Sequence, residues 1–329
     1  FSSQTKDTIT TKVNKFGSTY KPPESFIKKI SKSGIIQQVV ELAKMKETSQ
    51  LKKNDGKKKV RLRGIPKLED ANKAGSKDSS KCSLILTEGD SAKAFAMSGL
   101  SIVGKGKLLN VREASVKQKL NNEEINNLKQ ILGLKQDMKY DNENDFKTLR
   151  YGRIICLTDQ DVDGSHIKGL LINFFHYIWP DLVKRKGFIS SLATPIVKAF
   201  KNKDEKIFYN LTEYEKWKDS SESKGYKIKY YKGLGTSTSN EAKEYFYDIE
   251  DKLIRYLWEN LNDKLESEDS IASVIDKYDS EDSITLAFDK SRSNDRKTWL
   301  QSFDKNEILT YEDRDVSFGK FIHYDMKHF

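Results

Sequence analysis

The chain has 329 residues, enough to bury one large core or two smaller ones. Its 59 Lys and Arg residues outnumber 49 Asp and Glu residues and leave a formal net charge of +10, which suits a polyanionic partner such as DNA or RNA but also fits an ordinary basic surface. No apolar run approaches the roughly 18 residues of a membrane span, so we expect no membrane partner.

The start of the chain and its cysteines give expectations about context. The chain begins with Phe1 and shows no secretory signal, from which we expect a fragment of a longer protein. Cys82 and Cys156 lie in apolar runs without metal-ligand or disulfide spacing, which favours a reducing compartment.

The N-terminal region is predicted to contain one helix followed by a linker. Within residues 1–50, Ile35, Val39 and Leu42 recur at helical spacing. The lysine-rich stretch 52–59 then predicts a solvated linker, either contacting nucleic acid or without a partner.

The middle of the chain has the pattern of an α/β fold. Short apolar runs at 83–87 and 153–158 predict buried strands, and a helix is expected from Ser91. Residues 166–179 have one apolar face at helical spacing, and Pro180 ends that helix. Strands that alternate with helices predict a parallel sheet flanked by helices.

The C-terminal third is predicted to be helical and charged. Phe246, Ile249, Leu253 and Leu257 are spaced as one apolar stripe of a helix, and residues 266–282 are acidic and rich in turn formers.

Acidic residues directly follow both predicted strands. Glu88 comes after the first strand, and Asp159, Asp161 and Asp163 come after the second. Because the carboxyl ends of parallel strands lie at the same edge of a sheet, we expect these side chains to converge. Magnesium prefers oxygen ligands, commonly one or two carboxylates together with waters and phosphate oxygens. The pattern therefore predicts a Mg²⁺ site with a phosphate substrate.

Two other interpretations fit the aspartates less well. The Asp-x-Asp-x-Asp-Gly pattern also begins an EF-hand calcium loop, but the position of the obligatory twelfth-residue Glu holds Leu170, and a strand precedes the loop. An exposed acidic turn without a ligand would not be expected after two buried strands.

Five motifs together resemble the TOPRIM region of type IIA DNA topoisomerases. They are Glu-Gly-Asp-Ser-Ala at 88–92, Leu-Asn-Val-Arg-Glu-Ala at 109–114, Asp-x-Asp-x-Asp-Gly-Ser-His-Ile at 159–167, Thr-Pro-Ile-Val-Lys at 194–198 and Lys-Tyr-Tyr-Lys-Gly-Leu-Gly-Thr-Ser at 229–237. The last two resemble the eukaryotic and large-virus branch. Gln4-Thr5-Lys6 resembles the transducer loop that reaches ATP, and Phe321-Ile322 the lead-in to the winged-helix domain.

The resemblance implies roles for particular residues. It implies that Glu88, Asp159 and Asp161 are catalytic metal ligands for Mg²⁺ at the cleaved phosphodiester, with Asp163 supporting them or binding a second ion. Glu88 could also exchange a proton with the leaving oxygen. The implied DNA contacts are Lys105, Lys107, Arg112 and Lys232, and the implied ATP contacts are Gln4 and Lys6.

The resemblance also implies a domain order and a setting. The expected domains are the C-terminal part of an ATPase transducer at 1–50, a basic linker at 51–80, the TOPRIM domain at 81–236 and a helical extension toward a winged-helix domain at 237–329. The expected activity is ATP-dependent DNA strand passage by a homodimer of the full-length protein acting on double-stranded DNA. Its location would be the nucleus of a cellular eukaryote, or the host cytoplasm and viral factory of a virus.

The sequence departs from the family pattern in two places. A loop containing Pro-Leu-Arg, usual before Gly106-Lys107, is not present in this sequence. The nucleophilic tyrosine is expected beyond residue 329; Tyr151 and Tyr256 follow arginines as that tyrosine does, but we interpret both as structural. Two competing functions are another TOPRIM enzyme, such as a nuclease or primase, and a non-catalytic DNA-binding module.

Overall fold

The computed structural model describes residues 21–62, 64–65, 68–88, 96, 102–103, 109–231, 238–260, 278–302, 304, 309 and 314–328. The chain divides into two compact units, Phe1–Gln50 and Leu51–Phe329. Among the described residues, none of the helices combines the length and the apolar character needed to cross a membrane.

The described part of the first unit is helical. Helix α1 spans Glu24–Lys32 and helix α2 spans Ile35–Leu51. Gly34 between them has a positive φ of 76°, a backbone conformation that glycine adopts without steric cost. The helix predicted from Ile35, Val39 and Leu42 is confirmed, and all three side chains are exposed.

The second unit is built on two sheets. The strands are β1 (Ser83–Thr87), β2 (Ile102–Val103), β3 (Arg153–Leu157), β4 (Ile189–Leu192), β5 (Val197–Lys201), β6 (Asp204–Phe208), β7 (Lys227–Tyr230), β8 (Leu253–Leu257) and β9 (Asp315–Ser317). The larger sheet has the order β2-β1-β3-β4-β8-β9, and its first four strands are parallel. The predicted α/β fold with a mainly parallel sheet is confirmed.

The described helices of the second unit flank the two sheets. They are α3 (Val116–Asn121), α4 (Glu123–Leu132), α5 (Glu143–Phe146), α6 (Val162–Ile178), α7 (Pro180–Lys184), α8 (Leu211–Lys218), α9 (Ser239–Tyr247), α10 (Ile249–Lys252), α11 (Ser280–Phe288), α12 (Ser293–Gln301) and α13 (Phe318–Lys320). The predicted helix at 166–179 is confirmed as α6, which ends just before Trp179 and Pro180. The side chains of Phe174, Phe175 and Trp179 lie in the main core.

The smaller sheet is antiparallel and has β5 at its centre, between β6 and β7. On one face Val197, Ala199 and Phe208 pack with Tyr214 of α8 in a separate core cluster. This sheet lies in the sequence between β4 and β8 of the larger sheet, and its last strand ends at Tyr230, two positions in the sequence before the predicted DNA-contact residue Lys232.

The predicted helical stripe at 246–257 is wrong beyond Lys252. Residues Leu253–Leu257 form strand β8, which pairs antiparallel with β4 and parallel with β9. Leu253, Ile254 and Tyr256 are all buried, so both faces of the strand are covered. Phe246 belongs to α9 and Ile249 to α10, so the helical spacing joins residues of three separate elements.

Residues 52–59 are anchored to the fold, in contrast to the solvated linker that the lysines predict. The side chain of Asn54 donates to Asn126, Asp55 forms an ion pair with Lys129 at 2.8 Å, and the backbone N–H of Gly56 donates to the carbonyl of Leu134. A Cβ on Gly56 would lie 2.1 Å from the Lys129 carbonyl, so the close packing requires glycine. Lysine side chains here remain exposed while the backbone packs against α4.

Candidate metal centre

The acidic residues lie where β1 and β3 end side by side. The two strands pair in parallel with Thr87 opposite Leu157, so Glu88 and Asp159 leave the sheet at the same edge. The backbone N–H of Glu88 donates to the carbonyl of Leu157 at 3.2 Å and extends the pairing by one residue. The parallel pairing of two short apolar strands therefore places Glu88 and Asp159 at the sheet edge where the sequence predicts them.

The carboxyl group of Glu88 lies partly buried at this edge. Burial raises its pKa, and the charges of Asp161, Asp159 and Asp163 raise it further, against a lowering hydrogen bond from the Asp159 backbone. Its Oε2 atom is buried without a hydrogen-bond partner in the described part of the chain. A buried carboxylate oxygen beside three like charges costs stability unless a cation or proton compensates it.

The aspartates are organised by the start of α6. Asp161 is the N-cap residue, and its Oδ1 accepts a hydrogen bond from the N–H of Gly164 at 2.8 Å. Asp163 lies in the first turn, where a negative charge is favoured by the helix dipole. A Cβ on Gly164 would lie 2.1 Å from the carbonyl oxygen of Asp159, so only glycine allows the loop to fold this tightly onto the helix.

The chemistry of these residues fits Mg²⁺, whose ligands are oxygens. The unsatisfied Oε2 of Glu88 is the structural observation that supports the fit. In the arrangement described, no three Asp, Glu, His or Cys side chains of the described ranges stand close enough to hold a metal ion, and one oxygen of Asp161 serves as the helix cap. The metal-ligand assignment of Glu88, Asp159, Asp161 and Asp163 stays a prediction.

Arg112 lies inside an internal polar network. Its Nε donates to Asn173 at 2.7 Å, and its guanidinium contacts the Nδ1 atom of His176 at 2.6 Å. His176 in turn contacts Glu281 through Nε2 at 2.9 Å. Because an arginine has no acceptor, His176 must accept at Nδ1 and donate from Nε2. These contacts favour a structural role for Arg112, although its predicted DNA contact is not tested by them.

The other predicted contacts are not described by the structure. Outside the described residues lie Gln4, Lys6, Lys105, Lys107 and Lys232, together with the expected helix start at Ser91.

Tyr151 and Tyr256 have buried, bonded hydroxyls. Tyr151 donates to Asp70 at 2.6 Å, and Tyr256 shares a hydrogen bond with Ser191 at 2.9 Å. Burial raises the pKa of Tyr256 to about 12. Neither hydroxyl is open to a DNA phosphate, which fits the predicted structural role of both residues.

Two residues near the predicted contacts were missed by the sequence reasoning. Asn173 is fully buried and links Asn110 to Arg112; its polar side chain within the apolar run 170–175 was the available signal. Glu241 accepts hydrogen bonds from both sides of residues 232–237. Its signal was the Thr238-x-x-Glu241 capping-box spacing.

Comparisons with known proteins agree with this geometry. Residues 83–193 match the Toprim domain, and residues 192–277 and 267–329 match the C-terminal associated domain of TOPRIM. The chain thus carries a Toprim domain followed by its associated domain, which defines its class.

The relatives that match this chain are type II DNA topoisomerases. DNA topoisomerase 2 of Plasmodium falciparum is 46% identical over 99% of this chain and 23% of its own length, and that of Drosophila melanogaster is 53% identical over 80% of this chain and 19% of its own length. A crystal structure of the Plasmodium falciparum topoisomerase II DNA-binding, cleavage and re-ligation domain matches with a TM-score of 0.72 and 46% identity, over 82% of this chain and 36% of that chain. The resemblance to type II topoisomerases is confirmed, and the chain spans about a quarter or less of the length of the two DNA topoisomerase 2 relatives.

Proposed function

We propose that this chain supplies the Mg²⁺-binding DNA-cleavage core of a type II DNA topoisomerase. Such an enzyme relaxes or decatenates DNA by transient double-strand cleavage, strand passage and religation. The observation that carries the proposal is the acidic edge: Glu88 has a buried oxygen without a partner among the described residues, beside three aspartates. Similarity to DNA topoisomerase 2 along nearly the whole chain supports it.

Each acid has a proposed role. Glu88, Asp159 and Asp161 would hold Mg²⁺, with Asp163 supporting them or binding a second ion. When bound, the metal supplies neutralisation of charge that develops on phosphodiester oxygens. Burial and neighbouring carboxylates raise the pKa of Glu88, which suits a side chain that exchanges a proton with the leaving 3′ oxygen.

The partners follow from the same proposal. Lys105, Lys107 and Lys232 would contact phosphates of double-stranded DNA, because lysines supply sequence-independent affinity. Gln4 and Lys6 would contact ATP bound mainly elsewhere in a full-length homodimer. The location would be the nucleus of a eukaryote or the cytoplasmic factory of a virus.

Mg²⁺ titration by calorimetry tests the metal assignment. We expect Asp161→Asn to weaken Mg²⁺ binding by about tenfold or more, because a ligand charge is lost. The matched control is Asp279→Asn, since Asp279 caps α11 as Asp161 caps α6 and asparagine preserves a cap. Equal Mg²⁺ affinity in the two variants would rule out Asp161 as a ligand.

A covalent-adduct assay tests the cleavage role. Tyr151 and Tyr256 are buried, so we expect the 329-residue chain with Mg²⁺ and labelled supercoiled DNA to give no tyrosyl–DNA adduct. Adding a polypeptide that carries the winged-helix tyrosine should produce one. An adduct on Tyr151 or Tyr256, or failure of the associated mixture to cleave, would contradict the proposal.

A further inference from the structure

Asp325 joins the C-terminal segment, residues 318–328, to the start of α6. Its Oδ2 atom accepts a hydrogen bond from the hydroxyl of Ser165 at 3.1 Å and lies 3.3 Å from the Nζ atom of Lys168. Ser165 and Lys168 are both buried, and they lie in the first and the second turn of α6. One carboxylate therefore holds two consecutive turns of this helix.

The Lys168 ammonium is a buried charge paired with Asp325. Burial lowers the pKa of Lys168, but its polar neighbours, first of all the charge of Asp325, outweigh burial and raise it above its ordinary value. The Nζ atom also lies 5.4 Å from the centre of the Phe321 ring, within the range of a cation–π contact. Because a buried ammonium that loses its carboxylate is strongly disfavoured, Asp325 and α6 are expected to keep their relative position.

Apolar packing holds the C-terminal segment on α6 around this pair. Phe321 and Ile322 are fully buried in the main core. A Cβ on Gly169 would lie 2.4 Å from the Sδ atom of Met326, so α6 closely contacts the residue that follows Asp325. The carboxylate is thus fixed by packed neighbours on both sides of it in the sequence.

The first turn of α6 connects this contact to two of the predicted metal ligands. Asp161 caps the helix through the N–H of Gly164, and the N–H of Ser165 donates to the carbonyl of Asp161 at 3.1 Å. Ser165 therefore bonds Asp161 through its backbone and Asp325 through its side chain. Asp163 lies in the same turn. The position of Asp325 consequently bears on where both acids stand.

We propose that Asp325 is a positioning residue for Mg²⁺ binding, which acts by holding the first turn of α6 and, through it, Asp161 and Asp163. The inference rests on the proposed function, in which these aspartates bind the metal. Groups that fix metal ligands in place before the metal arrives raise its affinity. Asp325 acts through Ser165 and the helix, since its Oδ2 atom is occupied by protein donors.

The test removes the pair without leaving a buried charge. We expect Lys168→Met/Asp325→Leu in the 329-residue chain to weaken Mg²⁺ binding, measured by calorimetry, by about tenfold, the lower end of the effect of groups that orient metal ligands. The matched control is Lys129→Met/Asp55→Leu, because that pair is buried to nearly the same extent but joins α4 to the segment before β1. The control should leave Mg²⁺ affinity unchanged. Ser165→Ala removes one bond and no charge, and should give a smaller loss in the same direction.

Amide hydrogen exchange without Mg²⁺ gives a second readout. The N–H groups of Gly164 and Ser165 both donate to Asp161, so their exchange reports directly on the first turn of α6. We expect exchange at these two positions to be faster in Lys168→Met/Asp325→Leu and unchanged in the control pair. Faster exchange together with weakened Mg²⁺ binding would support positioning.

Three outcomes would overturn the inference in different ways. Unchanged Mg²⁺ affinity in a folded Lys168→Met/Asp325→Leu variant would overturn it and leave the proposed function intact. An equal loss of affinity in the two double variants would replace positioning with general destabilisation of the fold. An unsubstituted chain that binds no Mg²⁺ in the same titration would remove the proposed metal site, and the inference with it.

Discussion

Two charged clusters in the second unit are built on opposite principles. Arg150 is fully buried, and its guanidinium donates to Asp70 and to the carbonyls of Lys59 and Ile131. Glu88 lies among like charges, and its Oε2 has no partner in the part of the chain that the structure describes. A compensated buried charge is costly to break, because its partner is left unpaired, whereas an uncompensated charge costs stability and is expected where a ligand completes the site.

Arg112, like Arg150, is a compensated charge, although it lies in one of the family motifs. Asn173, His176 and Asp289 surround its guanidinium, with the Asp289 carboxylate at 3.8 Å. The comparison therefore predicts that substitutions at Arg150 and Arg112 weaken the fold, while substitution at Glu88 strengthens it and weakens metal binding.

The largest effect is expected for Arg150→Met. Removing the guanidinium leaves Asp70 and two carbonyls without their donor, which should lower the free energy of unfolding by about 3–5 kcal/mol in urea titrations. Arg185→Met is the matched control, because the pair of Arg185 with Glu143 lies at the surface and should contribute about 1 kcal/mol or less. Equal losses in the two variants would remove the distinction between compensated and surface charge.

Arg112→Met should lower the free energy of unfolding by about 2 kcal/mol, because it breaks bonds to buried Asn173 and His176. We expect the salt slope of duplex binding to stay unchanged, in contrast to Lys232→Ala. A variant of normal stability whose salt slope falls by about one unit would instead assign Arg112 to the DNA contact.

Glu88→Gln should raise the free energy of unfolding, whereas the arginine substitutions lower it. Replacing the charge relieves burial and repulsion from three aspartates; because Glu88 is only partly buried and water screens the repulsion, we expect a gain of less than about 1 kcal/mol in unfolding free energy without Mg²⁺. Added Mg²⁺ should then raise the melting temperature of the unsubstituted protein but not that of the variant. A metal-free variant less stable than the unsubstituted protein would contradict this account of the acidic edge.

The Glu241 carboxylate is also a compensated charge, and we expect this to appear in the pH dependence of stability. Its folded pKa of about 2 lies below its ordinary value of 4.5, so its contribution is fully present above 4.5 and is lost as pH falls toward 2. The stability difference between the unsubstituted protein and Glu241→Gln should therefore shrink, by less than about 1 kcal/mol over the first half unit below 4.5. Urea titrations across that range measure this stability difference. A difference that widens on acidification would contradict the lowered pKa of Glu241.

Local sequence was sufficient for β1, β3 and α6, together with the acids that follow the two strands. Each strand is a short apolar run; Glu88 directly follows β1, and Asp159 follows β3 after Thr158. Strand β8 was misassigned because a strand buried on both faces has no period of two, so its apolar residues could be fitted to a helical repeat.

Long-range pairing could not be predicted in the same way. Asn173 and His176 follow Arg112 by 61 and 64 positions, and no spacing rule connects them. The same holds for Lys229 and Glu241, which meet only because β7 and α9 are brought together across residues 232–237. The metal ligands could be proposed because strand ends converge by topology; the network around Arg112 has no such rule.

The late position of β9 in the sequence has a consequence for β8 while the chain is being synthesised. Strand β8 pairs with β9 across 60 residues of sequence, so during synthesis its outer edge has no native partner until Ser317 has emerged. An open strand edge invites pairing with another copy of the chain, and a charged side chain on it discourages that. Arg255 lies on β8 with its side chain partly exposed, and it bonds Asp315 once β9 arrives. We expect the charge of this arginine to disfavour aggregation through the unpaired edge of β8 during synthesis. After β9 has formed, the same side chain pairs with Asp315 and stabilises the β8–β9 pairing.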